Sequence, residues 1–217
     1  MEQDDLMEFL YKYGWLTLMI AMAGDLLVSF ILSFFYKGYS SKKMSISALG
    51  NPNSPVRLPF NIWMIVEGLL FLAAIPAVFN YYAQVSKGLT ITSVTFIAVF
   101  AVGACIFTGF FSVNESKEEV TTASKIHGAG SVIGFMLFLF VPLLMAIMSF
   151  KDAEGTLGII SVVSFAISIV FFALFVMSDK DEFKDTAVNN EGLWQRLNLF
   201  FMYCPLAVIA VKRLMGM

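Results

Sequence analysis

His127 is the single histidine of the chain, and it stands at the mouth of an apolar run, KIHGAGSVIGFMLFLFVPLLMAIMSF, from Lys125 to Phe150. Histidine serves as a general base or a metal ligand, and Ser131, four residues on, shares its helical face. With Glu67 to orient the imidazole, His127 and Ser131 make the residue set of a base-activated nucleophile. An interfacial histidine bonded to a loop carbonyl is the plainer reading, and both stay open. Two further groups matter by position: Asp25 and Glu67 interrupt otherwise apolar runs. An acid at membrane depth must face the bundle interior and find a partner or a proton. Asp25 serves equally well as a protonated or bonded aspartate that fixes helix packing. A catalytic zinc takes three protein ligands; His127, Glu67 and Asp25 are staggered in depth, so no metal is expected. One histidine excludes a bis-histidine haem. No Gly-rich phosphate loop, metalloprotease signature or nucleophile elbow occurs, and no cofactor is expected.

The elements that carry these residues follow from composition. Hydrophobic residues make up 59% of the chain and charged ones 14%, with a mean hydropathy of +0.80, which excludes a soluble domain. The apolar runs are long and unbroken, which predicts helices and not the short alternating strands of a barrel. The expectation is an all-α, polytopic integral membrane protein, one domain over residues 1–217 forming a bundle of six transmembrane helices. The spans fall at about 14–36, 61–82, 90–111, 126–149, 157–177 and 196–214, each near the roughly 20 residues that cross a bilayer. Tyr13, Trp15 and Tyr36 sit where aromatic belts lie. Pro76, Pro142 and Pro205 predict kinks. Gly130 and Gly134 are spaced for close backbone approach, and Ser161, Ser164 and Ser168 share one helix face. In the loop after the first span, SISALG predicts one helical turn ended by Gly50.

Long connections fall within the pairs one and two, three and four, and five and six, so all three share a membrane face. The polar residues gather there: Asn61, Trp63 and Glu67 open the second span, His127 and Ser131 the fourth, Trp194, Gln195, Arg196 and Asn198 the sixth. Together with Asp25 these predict a polar funnel open to the long-loop side. Its candidate ligand-binding residues are Asp25, Asn61, Trp63, Glu67, His127, Ser131, Trp194, Arg196 and Asn198. Glu67 lies roughly 10 Å below the face at about 1.5 Å per residue. Arg196 is long enough to snorkel toward it, so Glu67, Arg196 and His127 are expected to meet as one electrostatic cluster.

The net charge of −2 offers no basic surface for nucleic acid. Cys105 and Cys204 both lie inside apolar runs, which provides neither a disulfide framework nor a zinc cluster. The acidic start, MEQDDLMEF, argues against a cleaved signal peptide. Lys37, Lys42, Lys43, Arg57, Lys117, Lys125, Lys180, Lys184 and Arg196 fall on the long-loop face; Lys12, Lys87, Lys151, Lys212 and Arg213 fall on the other. By the positive-inside rule the long loops are cytoplasmic, in a multi-pass protein of the plasma (cell inner) membrane.

SISALGNPNSPVRLPFN before the second span, IHGAGSVIGF opening the fourth and GLWQRLN opening the sixth resemble the landmarks of the bacterial six-helix membrane family catalogued as domain of unknown function 998. The resemblance covers nearly the whole chain by span order. It implies a single six-helix domain of bacterial origin with no established activity. Ser47, Leu49, Gly50, His127 and Arg196 match its landmarks; Asp25 has no place in the pattern.

No complete catalytic set can be named, so the leading expectation is a binding protein whose funnel takes a membrane lipid, a small amphiphile or a helix of a partner membrane protein. The alternative is a membrane enzyme acting on a lipid head group, with His127 as base and Arg196 holding an anionic group. A small transporter is a further alternative, disfavoured because Asp25 and Glu67 have no counterparts in the second half. The topology is testable: reporter fusions after Lys87 and Lys151 should report the side of the C-terminus, and fusions after Lys43 and Asp181 the opposite side. A mixed pattern would overturn the hairpin scheme.

Overall fold

The computed structural model describes residues 3–114 and 119–216; Lys117 and the first two residues of the acidic start lie outside them. Helix α1 (Gln3–Ser33) buries Trp15, Leu18, Met22, Asp25 and Ser29. That recurrence every three or four residues marks one helical face. Leu16, Ile20, Leu27 and Phe30 lie on the other side and stay exposed, as lipid-facing residues should. Asp25 thus falls on the inward stripe.

Helix α2 (Arg57–Phe100) continues through a π-helical turn (Ala101–Ile106) into α3 (Phe107–Phe110), an apolar stretch of 54 residues from Arg57 to Phe110. Drawn straight, it would reach about 80 Å, far more than a hydrocarbon core of about 30 Å. It doubles back instead. Ser86 is extended (φ −163°, ψ 102°), the rings of Phe71 and Phe100 lie 5.6 Å apart, and Asn61 reaches Ser112 at 3.5 Å. Among the described residues five helices are long and apolar enough to cross a membrane, where the sequence predicts six. The expected spans 61–82 and 90–111 are the two limbs of this one element, because AQVSKGL stays helical on both sides of a single extended residue.

Helix α4 (Thr122–Phe138) starts before the expected boundary at 126, since Thr121 caps it. The Thr121 hydroxyl accepts from the Ser124 amide at 3.1 Å, and the Ser124 hydroxyl accepts from the Thr121 amide at 3.0 Å, a reciprocal capping box. The expected span 126–149 is divided between α4 and α5 (Val141–Lys151). Pro142 lacks the amide that would continue the ladder, and the turn before it tightens, Phe140 N–H donating to Leu137 O at 3.1 Å. Helix α6 (Gly155–Ser178) leads through a short 3₁₀ turn (Asp181–Phe183) to α7 (Glu191–Leu214), which opens ahead of the expected start at 196. No strand occurs among the described residues.

Small residues set the spacing of the helices. A β-carbon on Gly130 would lie 2.7 Å from Gly103 O, and one on Gly103 would lie 2.5 Å from Gly130 O, so α4 crosses the π-helical turn backbone to backbone, as the Gly130–Gly134 spacing predicts. Ser161, Ser164 and Ser168 are buried together on α6. Ser161 and Ser168 donate to the carbonyls of Leu157 and Ser164 at 2.7 Å each, satisfying themselves within the helix. The three long connections share one end. Lys43 donates to Asn189 O, Leu193 N–H to Lys42 O at 3.0 Å, and Asn61 meets Ser112. At the other end Lys212 pairs with Glu154 at 2.8 Å.

Two glycines on α4 separate packing from propensity. Gly128 has nothing within 4 Å of an added β-carbon, and alanine gains up to about 1 kcal/mol of helix propensity there. Gly130→Ala gains the same propensity but meets a carbonyl, and overpacking costs about 1–3 kcal/mol. Thermal unfolding in detergent should therefore show Gly128→Ala at or above the wild-type Tm and Gly130→Ala below it. Equal Tm values would mean that the crossing is loose.

Candidate functional site

The funnel has a roof. After α1 the chain folds back over the bundle, and SISALG forms a 3₁₀ turn (Ile46–Gly50) with Ile46, Leu49 and Gly50 buried. Gly50 lies where a β-carbon would be 2.7 Å from Asn61 Oδ1 and 2.9 Å from the Phe60 ring. The first turns of α7 hold this segment down. Arg196 donates to the carbonyls of Ser41 (2.8 Å), Gly192 (3.0 Å) and Met44 (3.4 Å) and to the Tyr39 hydroxyl (2.8 Å). The Tyr39 hydroxyl in turn donates to Ser45 O at 2.8 Å. Gln195 Oε1 accepts from the Ile46 amide at 2.7 Å. A β-carbon on Gly192 would lie 2.1 Å from Met44 O, which accounts for glycine at the start of GLWQR. Burial pushes the Tyr39 phenol above its ordinary range, the Arg196 charge opposes this and Glu191 adds to it. Tyr39 therefore stays a neutral donor at neutral pH.

Beneath the roof lie the two acids. Glu67 is fully buried (0% exposed) and Asp25 nearly so (4%). Both line a cavity of about 20 Å³ with Ser47, Gln195, Cys105 and Phe100, room for about one water molecule. Asp25 Oδ2 accepts from the Tyr203 hydroxyl at 2.7 Å, and Glu67 Oε1 accepts from the Cys105 thiol at 3.6 Å. Glu67 Oε2 has no partner among the described residues. The Trp63 indole N–H lies near Glu67 but outside hydrogen-bond geometry among the described residues. Below the acids, Phe71, Phe100, Phe138 and Tyr203 pack ring to ring with centroids 4.5–6.3 Å apart, all buried. The chamber is thus closed above by a latched loop and below by an aromatic floor.

The structure does not assemble Glu67, His127 and Arg196 into one cluster. Arg196 is occupied by carbonyls and a phenol, and its charge reaches Asp25 only through space. His127 is buried, and its Nδ1 meets Phe111 O at 3.0 Å. A carbonyl only accepts, so Nδ1 carries a proton, which matches the interfacial reading. No hydrogen bond joins His127 to half-buried Ser131 or to Glu67 among the described residues. The end of α3 brings Phe111 O to the imidazole, and Cys105 of the π-helical turn takes the place beside Glu67 where the histidine was expected.

The other candidates divide between roof, wall and interior. Asn61 Nδ2 reaches Ser112, while its Oδ1 has no partner among the described residues. Trp194 stacks on Phe171 at 5.9 Å and donates to Val188 O at 2.8 Å, a wall contact outside the chamber. Asn198 is fully buried with both amide atoms unpartnered among the described residues. Gln195 stands in the funnel that the sequence predicts and Ser47 among the family landmarks, though neither was a ligand-binding candidate; Tyr203 and Cys105 were not expected at the site. Tyr203 carried a signal, a phenol deep in an apolar span away from the interfacial belts where tyrosine gathers. No set of three His, Cys, Asp or Glu residues suited to a metal ion occurs among the described residues.

The latch makes a prediction. Arg196→Gln removes charged bonds to Ser41 O, Met44 O and Tyr39 and should cost about 3 kcal/mol. Lys42 and Lys43 are exposed on the latched segment, so trypsin should cut there at least tenfold faster in the variant. Equal cleavage rates would mean that Arg196 does not hold the roof.

No curated protein and no solved structure matches the chain. One family does, over residues 19–212, a stretch that includes the latched SISALG turn, both acids, the His127 helix and the GLWQR turn that holds the roof. The chain therefore belongs to the family described as Protein of unknown function (DUF998).

Proposed function

We propose that this is a binding protein, not an enzyme: a multi-pass protein of the plasma (cell inner) membrane, crossing it six times with its long loops in the cytoplasm. Asp25 and Glu67 take the small cationic head of a lipid or other amphiphile that arrives from the long-loop face. The observation that carries this reading is Glu67, wholly buried, with one carboxylate oxygen unpartnered on a cavity it shares with Asp25. No cation bonds to either acid among the described residues, and a buried carboxylate without a counter-charge is costly. The closed chamber admits about one water, so a larger head group enters only when residues 41–50 lift. The latch of Arg196, Gln195 and Gly192 sets the cost of that opening.

The enzyme alternative loses support from His127, whose Nδ1 is held by Phe111 O away from the acids. Transport is disfavoured by the packed rings of Phe71, Phe100, Phe138 and Tyr203, which leave the acids open to one side only. The test is native mass spectrometry of the chain purified in mild detergent, beside Glu67→Gln. A species retained by the wild type, reduced at least tenfold in the variant and unaltered on incubation is the expected result. Chemical alteration of that species would favour the enzyme, and equal retention by both proteins would overturn the site.

A further inference from the structure

We infer that Glu67 and Asp25 share one exchangeable proton, which enters and leaves from the long-loop side. This rests on the two acids being the binding site, and it names what holds their charge in check before a ligand arrives.

Two carboxylates that line one small cavity in a low-dielectric interior cannot both stay ionised without a cation between them. The groups around them come from every packed element. Helix α1 brings Asp25, the first limb of α2 brings Glu67 and Trp63, and the second limb brings Cys105. Helix α4 brings the apolar ring of Phe135, α7 brings Tyr203 and Gln195, and the roof brings Ile46 and Ser47. Among the described residues Arg196 is the one cation in electrostatic reach; its Nη1 and Nη2 are committed to Ser41, Met44, Gly192 and Tyr39, and its buried Nε meets neither acid.

A hard cation would draw about six oxygens around itself. Here Asp25 Oδ2 is held by Tyr203, Glu67 Oε1 by Cys105 and Gln195 Oε1 by the Ile46 amide. Glu67 Oε2 stays without a partner among the described residues on a water-sized cavity, which suits a proton. The proton binds one carboxylate oxygen of the pair, leaving a single negative charge for two acids, and returns to water on release. The aromatic floor blocks the far side, so exchange follows the roof.

Carbodiimides attack the protonated form of a carboxyl in apolar surroundings, which gives a direct readout on the full chain in detergent. Dicyclohexylcarbodiimide should label Glu67 near neutral pH, with labelling falling as pH rises, whether or not sodium is present. In Asp25→Asn the half-labelling pH should fall by about one unit or more, because the neighbouring charge that holds the proton is gone. Labelling of Glu67 unchanged from pH 5 to pH 10, protection by sodium chloride at fixed pH, or a half-labelling pH indifferent to Asp25→Asn would each overturn the shared proton. The pH and sodium measurements need only the wild-type chain, so they stand if the variant fails to fold. No organic ligand is involved. pH-dependent labelling without any retained species would fell the ligand reading alone, and a retained species with pH-independent labelling would fell the proton alone.

Discussion

A carboxylate inside a hydrocarbon-spanning bundle is expensive wherever it stands, and this bundle carries two of them on one cavity. Much of the surrounding structure answers that constraint. Tyr203 gives Asp25 a hydroxyl, and Cys105 gives Glu67 a thiol. The thiol lies in a π-helical turn, where an extra residue in the ladder shifts the side chains that follow. Without that shift the second limb of α2 would present a different face to Glu67. The bulge and the acid are best understood as one feature.

Water is excluded from above by a loop and from below by rings, and the two closures differ in kind. The floor of Phe71, Phe100, Phe138 and Tyr203 is packed apolar surface, which yields only at the cost of a cavity. The roof is held by hydrogen bonds to carbonyls at the membrane surface, where water competes for the same groups. An asymmetric chamber follows, with one wall that can exchange its bonds for water and one that cannot. Arg196 fits this role better than lysine would, because its planar fork of donors reaches several carbonyls at once.

Glycine governs the scaffold at the few points where backbones touch. Gly103 and Gly130 let α4 approach the π-helical turn, Gly68 lets Cys105 and Ala101 stand beside α2, and Gly192 makes room for the carbonyl of Met44. In lipid, where burial of apolar surface between helices brings little net gain, such close contacts supply the attraction. The chamber's shape is thereby tied to the helix crossings that surround it.

Helix content, membrane class and the inward face of α1 were legible in the residues, because apolar run length and a three-to-four spacing are local properties. The Gly130–Gly134 contact, the serine face of α6 and the common end of the three long loops were legible for the same reason, and so were Asp25 and Glu67 as interior acids. The partners of those acids were not. A depth estimate put Arg196 within reach of Glu67, but a guanidinium bonds whatever carbonyls the fold brings first, and here the returning loop supplies Ser41, Met44 and Gly192. His127 went to Phe111 O for a similar reason, since the end of α3 reaches it before any acid does. The turn at Ser86 reads as an interhelical loop in sequence, yet one extended residue suffices, with helix continuing on both sides of it. Local periodicity determined which residues face inward; only the tertiary packing decided which of them meet, since hydrogen-bond partners are chosen by distance in space and not by position along the chain.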